Sequence, residues 1–224
     1  MLIIRSMTAM GRLIFMSLGG FVLAGVAAAQ ATCSTVQRFS TAGTTVCQVA
    51  ANVNMVTFAI FAGGGGGGGG AGNSASDGGS GGTPGNIINF AVDVTPGEVI
   101  TVEIGKGGAG GAGGIATTCT NCPAGTGGTG AFTRLQIPSQ GFIQLFGGTG
   151  GTGATRDAGG NGGTGTADLQ TDMQPVGSTI PTTGFCALVK ASVGGQGGPG
   201  NPFGNGGQGS AGAPGCIELI FSHN

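Results

Sequence analysis

Few side chains in this sequence could do chemistry, and their spacing limits which chemistry that is. Cys119 and Cys122 form CTNC, the spacing of a thiol–disulfide redox pair or of half a zinc site. A redox pair of that kind draws its low thiol pKa from a helix N-terminus, and no helix is expected here. A zinc site needs a second cysteine pair or histidines, and the single histidine is His223, beside the C-terminus. The pair reads as a short structural disulfide. Residues 105–110, GKGGAG, match G-x-G-x-x-G formally, but more glycine follows where a dinucleotide site requires a helix. Lys106 lacks the Ser or Thr that completes a phosphate-binding loop. One terminal histidine supports no histidine-based triad. Asp93 and Glu103 sit in alternating stretches that place them on a solvent face rather than as a paired acid and base. No catalytic, cofactor-binding or metal-ligating residue is assigned, and the chain does not read as an enzyme.

Threonine has a regular spacing. Thr149, Thr152, Thr155 and Thr164 share a three-residue register inside a glycine block. On an extended helix of three residues per turn they would recur at roughly 9 Å along one edge. Such a face suits ice or carbohydrate, although plain solubility would produce the same spacing.

The elements that must position these residues begin with an export signal. Arg5 and Arg12 accompany an apolar run from Leu13 to Ala28, with small residues at Ala27, Ala29 and Ala31. This is the pattern of a secretory signal peptide over residues 1–31, cut after Ala29 or, preferably, after Ala31. The run is short for a stable span, and no later run is long enough to cross a membrane. Cys33, Cys47, Cys119, Cys122, Cys186 and Cys216 all lie beyond the cut. An even count in an exported chain reads as a disulfide framework. Sequence proximity favours Cys33–Cys47, Cys119–Cys122 and Cys186–Cys216, the first closing a hairpin-like loop. The protein is expected to be secreted or held at the cell surface.

A start at Thr32 removes Arg5 and Arg12 and leaves five Lys/Arg against eight Asp/Glu, a net charge near −3. No basic cluster exists, so nucleic acid is not expected as a partner: counterion release needs several cations on one face. Fifty of the 55 glycines lie between Gly63 and Gly215, so one residue in three there is glycine. Nine prolines are too few for collagen triplets. The spacing of the glycines argues against disorder. Residues 147–167 divide as GGT GGT GAT RDA GGN GGT GTA, and residues 194–215 as GGQ GGP GNP FGN GGQ GSA GAP G. Residues 107–114 read GGA GGA GG, and 125–130 read GTGGTG. Polyproline II geometry has three residues per turn and about 3.1 Å rise. Glycine at every third position gives such a helix a bare edge, so neighbours approach closely. Backbone groups without partners inside the helix then pair between helices. The entropy lost on ordering glycine opposes this, and cross-helix hydrogen bonds and disulfides must offset it. The run FAGGGGGGGG at 61–70 therefore reads as packed backbone, not as a linker.

Apolar strands separate the blocks. NFAVDV–TPGE–VITVEI, 89–104, reads as a hairpin closed by Pro96-Gly97 in a type II turn. Other strands are expected at 53–62, 131–137, 141–146, 184–190 and 216–221, and no helical period appears beyond residue 31. Arg156 and Asp157 mark a turn between two bundle helices. Phe61, Phe146 and Phe203 are expected to seal bundle ends against the strands. The fold class is all-β, a small antiparallel sheet or sandwich combined with a bundle of polyglycine II helices. Three regions are expected: the signal peptide 1–31, an N-terminal disulfide loop and first strand 32–62, and a glycine-rich β/polyglycine II domain 63–224.

The order MVTFAIFAGGGGGGGG, then FAVDVTPGEVITVEIGKGGAGGAGG, resembles the glycine-rich domains of bacterial surface proteins and of phage adhesin tips. It also looks like the extracellular glycine-rich region of certain animal receptor tyrosine kinases. The resemblance implies β-strands joined to a polyglycine II bundle, and it transfers no functional residue. The signal peptide sets this chain apart from the phage adhesins. The expected function is structural or adhesive, in a protein that associates with itself or with a cell-surface or extracellular ligand. The alternative is ice or carbohydrate binding on the threonine face, which resembles small glycine-rich antifreeze proteins.

Overall fold

The structure is a computed structural model that describes residues 31–82, 88–116, 123–165, 169–174, 185–188 and 193–223. Residues 1–30, all but the last residue of the expected signal peptide 1–31, lie outside the described residues, as do Cys119 and Cys122; Ala31 is described and begins β1. Short alternating apolar runs build ten strands: β1 Ala31–Cys33, β2 Val36–Phe39, β3 Gly43–Val49, β4 Met55–Phe61, β5 Ile88–Asp93, β6 Val99–Ile104, β7 Thr133–Ile137, β8 Gly141–Leu145, β9 Leu169–Thr171 and β10 Cys216–Ser222. They form two sheets, ordered β1-β3-β6-β7-β8-β9 and β2-β10-β4-β5. The described part is thus all-β, apart from the single helical turn α1, Phe185–Leu188.

The two sheets share one core. Val56, Phe58 and Ile60 on β4 and Ile217 and Leu219 on β10 meet Ile100, Val102, Leu135, Ile137, Ile143 and Leu145 from the other sheet. Period-2 patterning explains which side chains enter: in β6 Ile100, Val102 and Ile104 are buried, while Val99, Thr101 and Glu103 are not. Residues 32–62 supply strands to both sheets and share this core, so they are not set apart from the rest.

Three local expectations fail in instructive ways. The 89–104 stretch is not a hairpin. Its turn forms as expected, with Glu98 N–H donating to the Thr95 carbonyl at 3.1 Å and Gly97 at φ 84°. Yet β5 pairs with β4, whereas β6 pairs with β3 and β7. Gly97 N–H donates to Val49 and Val94 N–H to Asn54, so the chain crosses from one sheet to the other. Crossing lets two apolar faces cover each other across the core. The Cys33–Cys47 loop is not a hairpin either: β1 runs parallel to β3, and β2 between them belongs to the second sheet. In the expected strand 184–190, the described part is the turn α1, tied to β10 by Cys186–Cys216 with Cα atoms 5.7 Å apart.

From the ends of β4, β6 and β8 the chain runs into glycine. Residues 63–71 form a central extended segment. Their N–H groups donate in strict rotation to three other segments: Gly63 to Ala131, Gly64 to Ala213, Gly65 to Gly82, then Gly66 to Gly128, Gly67 to Ser210, Gly68 to Gly79, and so on to Ala71, at 2.8 to 3.1 Å. Their carbonyls accept in the same rotation from a further three, Gly148, Gly108 and Gly195 first, then Gly151, Gly111 and Gly198. Six segments therefore surround one. Around the ring they are 124–131, 148–155, 76–82, 193–201, 206–215 and 105–114, alternately antiparallel and parallel to the centre, each bonded to its ring neighbours. An eighth, 158–164, lies outside the ring against 148–155 and 76–82.

This arrangement accounts for the glycine run. Every edge of the central segment faces backbone. A Cβ on Gly66, Gly67 or Gly68 would stand 1.8, 1.9 or 2.0 Å from the carbonyl oxygen of Ala109, Gln196 or Thr152. Ring segments have one outer edge, so each triplet keeps two glycines and one side chain: Gly107 and Gly108 face neighbours, while Ala109 and Ala112 are exposed. Each central residue makes two hydrogen bonds worth about 1 kcal/mol net apiece. That is comparable to the roughly 1–2 kcal/mol of backbone ordering it loses.

Candidate interaction surface

The described residues singled out for chemistry do not come together. Asp93 is exposed on one sheet and Glu103 half-buried on the other. His223 lies 3.3 Å from Asn52 and beside no carboxylate pair. Lys106 is exposed at the sheet end of its glycine segment, with no helix after it. No group of metal-ligating side chains occurs among the described residues. No described helix is long and apolar enough to cross a membrane. The Arg38 guanidinium bonds the buried Glu218 at 2.9 Å and lies over the Phe185 ring at 5.0 Å, so it holds α1 against the sheet.

The threonine register is present, but its hydroxyls face protein. Thr149 Oγ1 accepts from Thr164 N–H at 2.7 Å and lies 3.3 Å from Thr164 Oγ1. Thr152 Oγ1 accepts from Asn161 N–H at 2.7 Å, and Thr155 Oγ1 donates to the Ala158 carbonyl at 3.4 Å. The three hydroxyls dock segment 158–164 onto segment 148–155. Residues 156–158 form the bend between them, with Arg156 and Asp157 exposed at the turn.

The far end of the array, opposite the sheets, gathers the loops at 72–76, 115–116, 156–158 and 201–205. Short polar side chains tie these loops through backbone. Asn73, at φ 50°, donates its amide to the Ala116 carbonyl at 2.6 Å, and its N–H to Gly204. Ser74 Oγ donates to the Arg156 carbonyl at 2.7 Å. Asn205 Oδ1 accepts from Ala116 N–H at 2.8 Å, and Asp77 Oδ1 from Gly200 N–H at 2.7 Å. Asn201 Oδ1 accepts from Phe203 N–H at 3.0 Å, an Asx turn that fixes the NPFG tip.

Phe203 is 96 % exposed on that tip, and Ile115 is 55 % exposed on the next loop. Phe203 therefore seals nothing, contrary to the reading of its position: residues 201–204 turn the chain at the end remote from the strands, where no core reaches. Phe61 and Phe146 are half-buried where strand gives way to glycine. The Asx-turn signature of Asn201-Pro202-Phe203-Gly204 was the signal in the sequence that marked a tip rather than a seal.

No model of a known protein family matches the chain, and no curated protein matches it.

Proposed function

We propose that this is a secreted or surface-attached structural and adhesive protein, whose glycine segments are polyglycine II helices packed as a rigid body. The three-residue rotation of hydrogen bonds around residues 63–71 supports the helix assignment. The adhesive role rests on one observation, a fully exposed Phe203 held on a tip that the neighbouring loops brace. A rigid, exposed aromatic loses little entropy on contact and is the residue type that dominates binding hot spots. An export signal and a disulfide framework fit a protein that works outside the cell, and Cys33–Cys47 and Cys186–Cys216 are both bonded. Thr149 and Thr152 spend their hydroxyls on segment 158–164, which weakens the ice or carbohydrate reading of that face.

The test is binding of purified protein to a panel of intact cells, wild type against Phe203→Ser. A loss of roughly tenfold in apparent affinity, about 1.4 kcal/mol, is expected with the thermal transition unchanged. Equal binding by the two proteins would remove the tip from the function. Strong freezing-point hysteresis from a strict monomer would replace this reading with ice binding.

A further inference from the structure

Three ring contacts of the glycine array are equivalent. In each, an antiparallel segment donates N–H groups to the outward residues of a parallel one. Gly82 and Gly79 donate to Thr149 and Thr152; Ser210 and Gly207 donate to Gln196 and Pro199; Gly128 and Gly125 donate to Ala109 and Ala112. Each contact leaves a groove on the outside, with the outward N–H row on one wall and a carbonyl row on the other.

The first groove is filled. Thr149 and Thr152 donate to Thr164 and Asn161 of segment 158–164, which in turn donates from Gly160 and Gly163 to the Asp77 and Ser80 carbonyls. The second is closed from within. Ser210 Oγ takes the Gln196 N–H at 2.6 Å, and Pro199 has no N–H to offer. The third is open among the described residues. The N–H groups of Ala109 and Ala112 have no partner there, nor do the Pro123 and Thr126 carbonyls, which correspond to those of Asp77 and Ser80.

A second feature marks this groove. Gly128 occupies the position that Ser210 occupies in the closed groove and Gly82 in the filled one. A Cβ on Gly82 would stand 2.3 Å from the Thr164 carbonyl of the docked segment. A Cβ on Gly128 would meet nothing closer than the Ala109 nitrogen, at 3.1 Å. Its own fold does not demand glycine there as firmly as at other positions of the array, whereas an incoming backbone would.

We infer that the groove between 105–114 and 124–131 docks an extended glycine-triplet segment from a second copy of this chain. The segment lies antiparallel to 105–114, as 158–164 lies antiparallel to 148–155. The occupant must offer carbonyls and N–H groups at a three-residue spacing with a bare glycine edge, and segment 158–164 keeps such an edge outward: a Cβ on Gly159 or Gly162 would meet nothing closer than 3.4 Å. This inference rests on the reading of a self-associating structural protein and gives that association a site.

The experiment is analytical ultracentrifugation of the exported protein across concentration, with Ala112→Pro and Gly128→Ser as separate variants. Proline keeps the extended geometry and removes the donor, as Pro199 does in the closed groove. Serine copies the Ser210 plug. Wild type is expected to associate, and both variants to sediment as single chains with unchanged thermal transitions. Amide exchange supplies a readout independent of variant folding: Ala109 and Ala112 should gain protection in the associated state. Wild type that stays monomeric, variants that fold and associate as wild type does, or unprotected Ala109 and Ala112 would each overturn the groove. Cell binding is measured in parallel. A monomer that still binds cells removes the groove but keeps the adhesive reading; an associating protein that binds no cells does the reverse.

Discussion

At the residue scale, the glycines are not interchangeable, and their substitutions should rank by what faces the added carbon. A Cβ on Gly67 would stand 1.9 Å from the Gln196 carbonyl oxygen, and one on Gly150 1.8 Å from that of Gly127. Both obstacles are backbone held on several sides, so neither can yield. Gly67→Ala and Gly150→Val should each cost about 3 kcal/mol or more. Thr152→Val on the same segment keeps its shape and loses the bond from Asn161 N–H, at a cost of about 1 kcal/mol. Urea denaturation of the three variants checks the order; a Gly67→Ala protein as stable as wild type would show that the tract is not packed. Phe203→Ser should change stability by less than about 0.5 kcal/mol, since the side chain is almost wholly exposed. The triplet register made most of this ranking legible in the sequence. It did not tell which tract was central, because GGG and GGT differ only in how many edges are covered.

At the element scale, α1 is one turn held by Cys186–Cys216 and by Arg38 over Phe185. A helix of four residues has no stability of its own. Replacing both cysteines with serine should therefore release α1 and cost about 2–4 kcal/mol, read as a lower denaturation midpoint with an increased susceptibility of the 185–188 region to protease. An unchanged midpoint would show that the bridge restrains nothing. The strands themselves were readable wherever they alternate, as in β6 and β7. Their partners were not. Pro96-Gly97 specified its turn through φ alone, but whether two strands leaving a turn pair with each other or separate into facing sheets depends on distant strands. Here β4 and β3 took those places.

At the scale of the whole molecule, the sheets and the glycine array stabilise each other. The strands adjoin the glycine segments through Ala62, Gly105, Phe146 and Gly215, so neither layer can open without straining the other. The amides of Gly63 to Gly70 should be among the slowest in the protein to exchange, despite lying in a run that composition alone would call a linker. Hydrogen exchange read by residue checks this, and exchange at random-coil rates would sink the packed array. Thiol labelling under non-reducing conditions should find no reactive cysteine in the purified protein; labelling at any of the six would break the disulfide framework.

The sequence by itself determined the class of backbone. A three-residue glycine period, alternating apolar runs and an even cysteine count each follow from local sterics or short-range bonding, and each can be read without knowing what lies opposite. Tertiary structure decided everything that depends on what lies opposite. It set β5 and β6 in separate sheets, put residues 63–71 at the centre of six neighbours, bound the threonine hydroxyls to the outer segment 158–164, and left Phe203 outside. A residue's period fixes which edge it occupies on its own segment. Only the packing of the other segments fixes whether that edge meets backbone, a neighbouring hydroxyl or water.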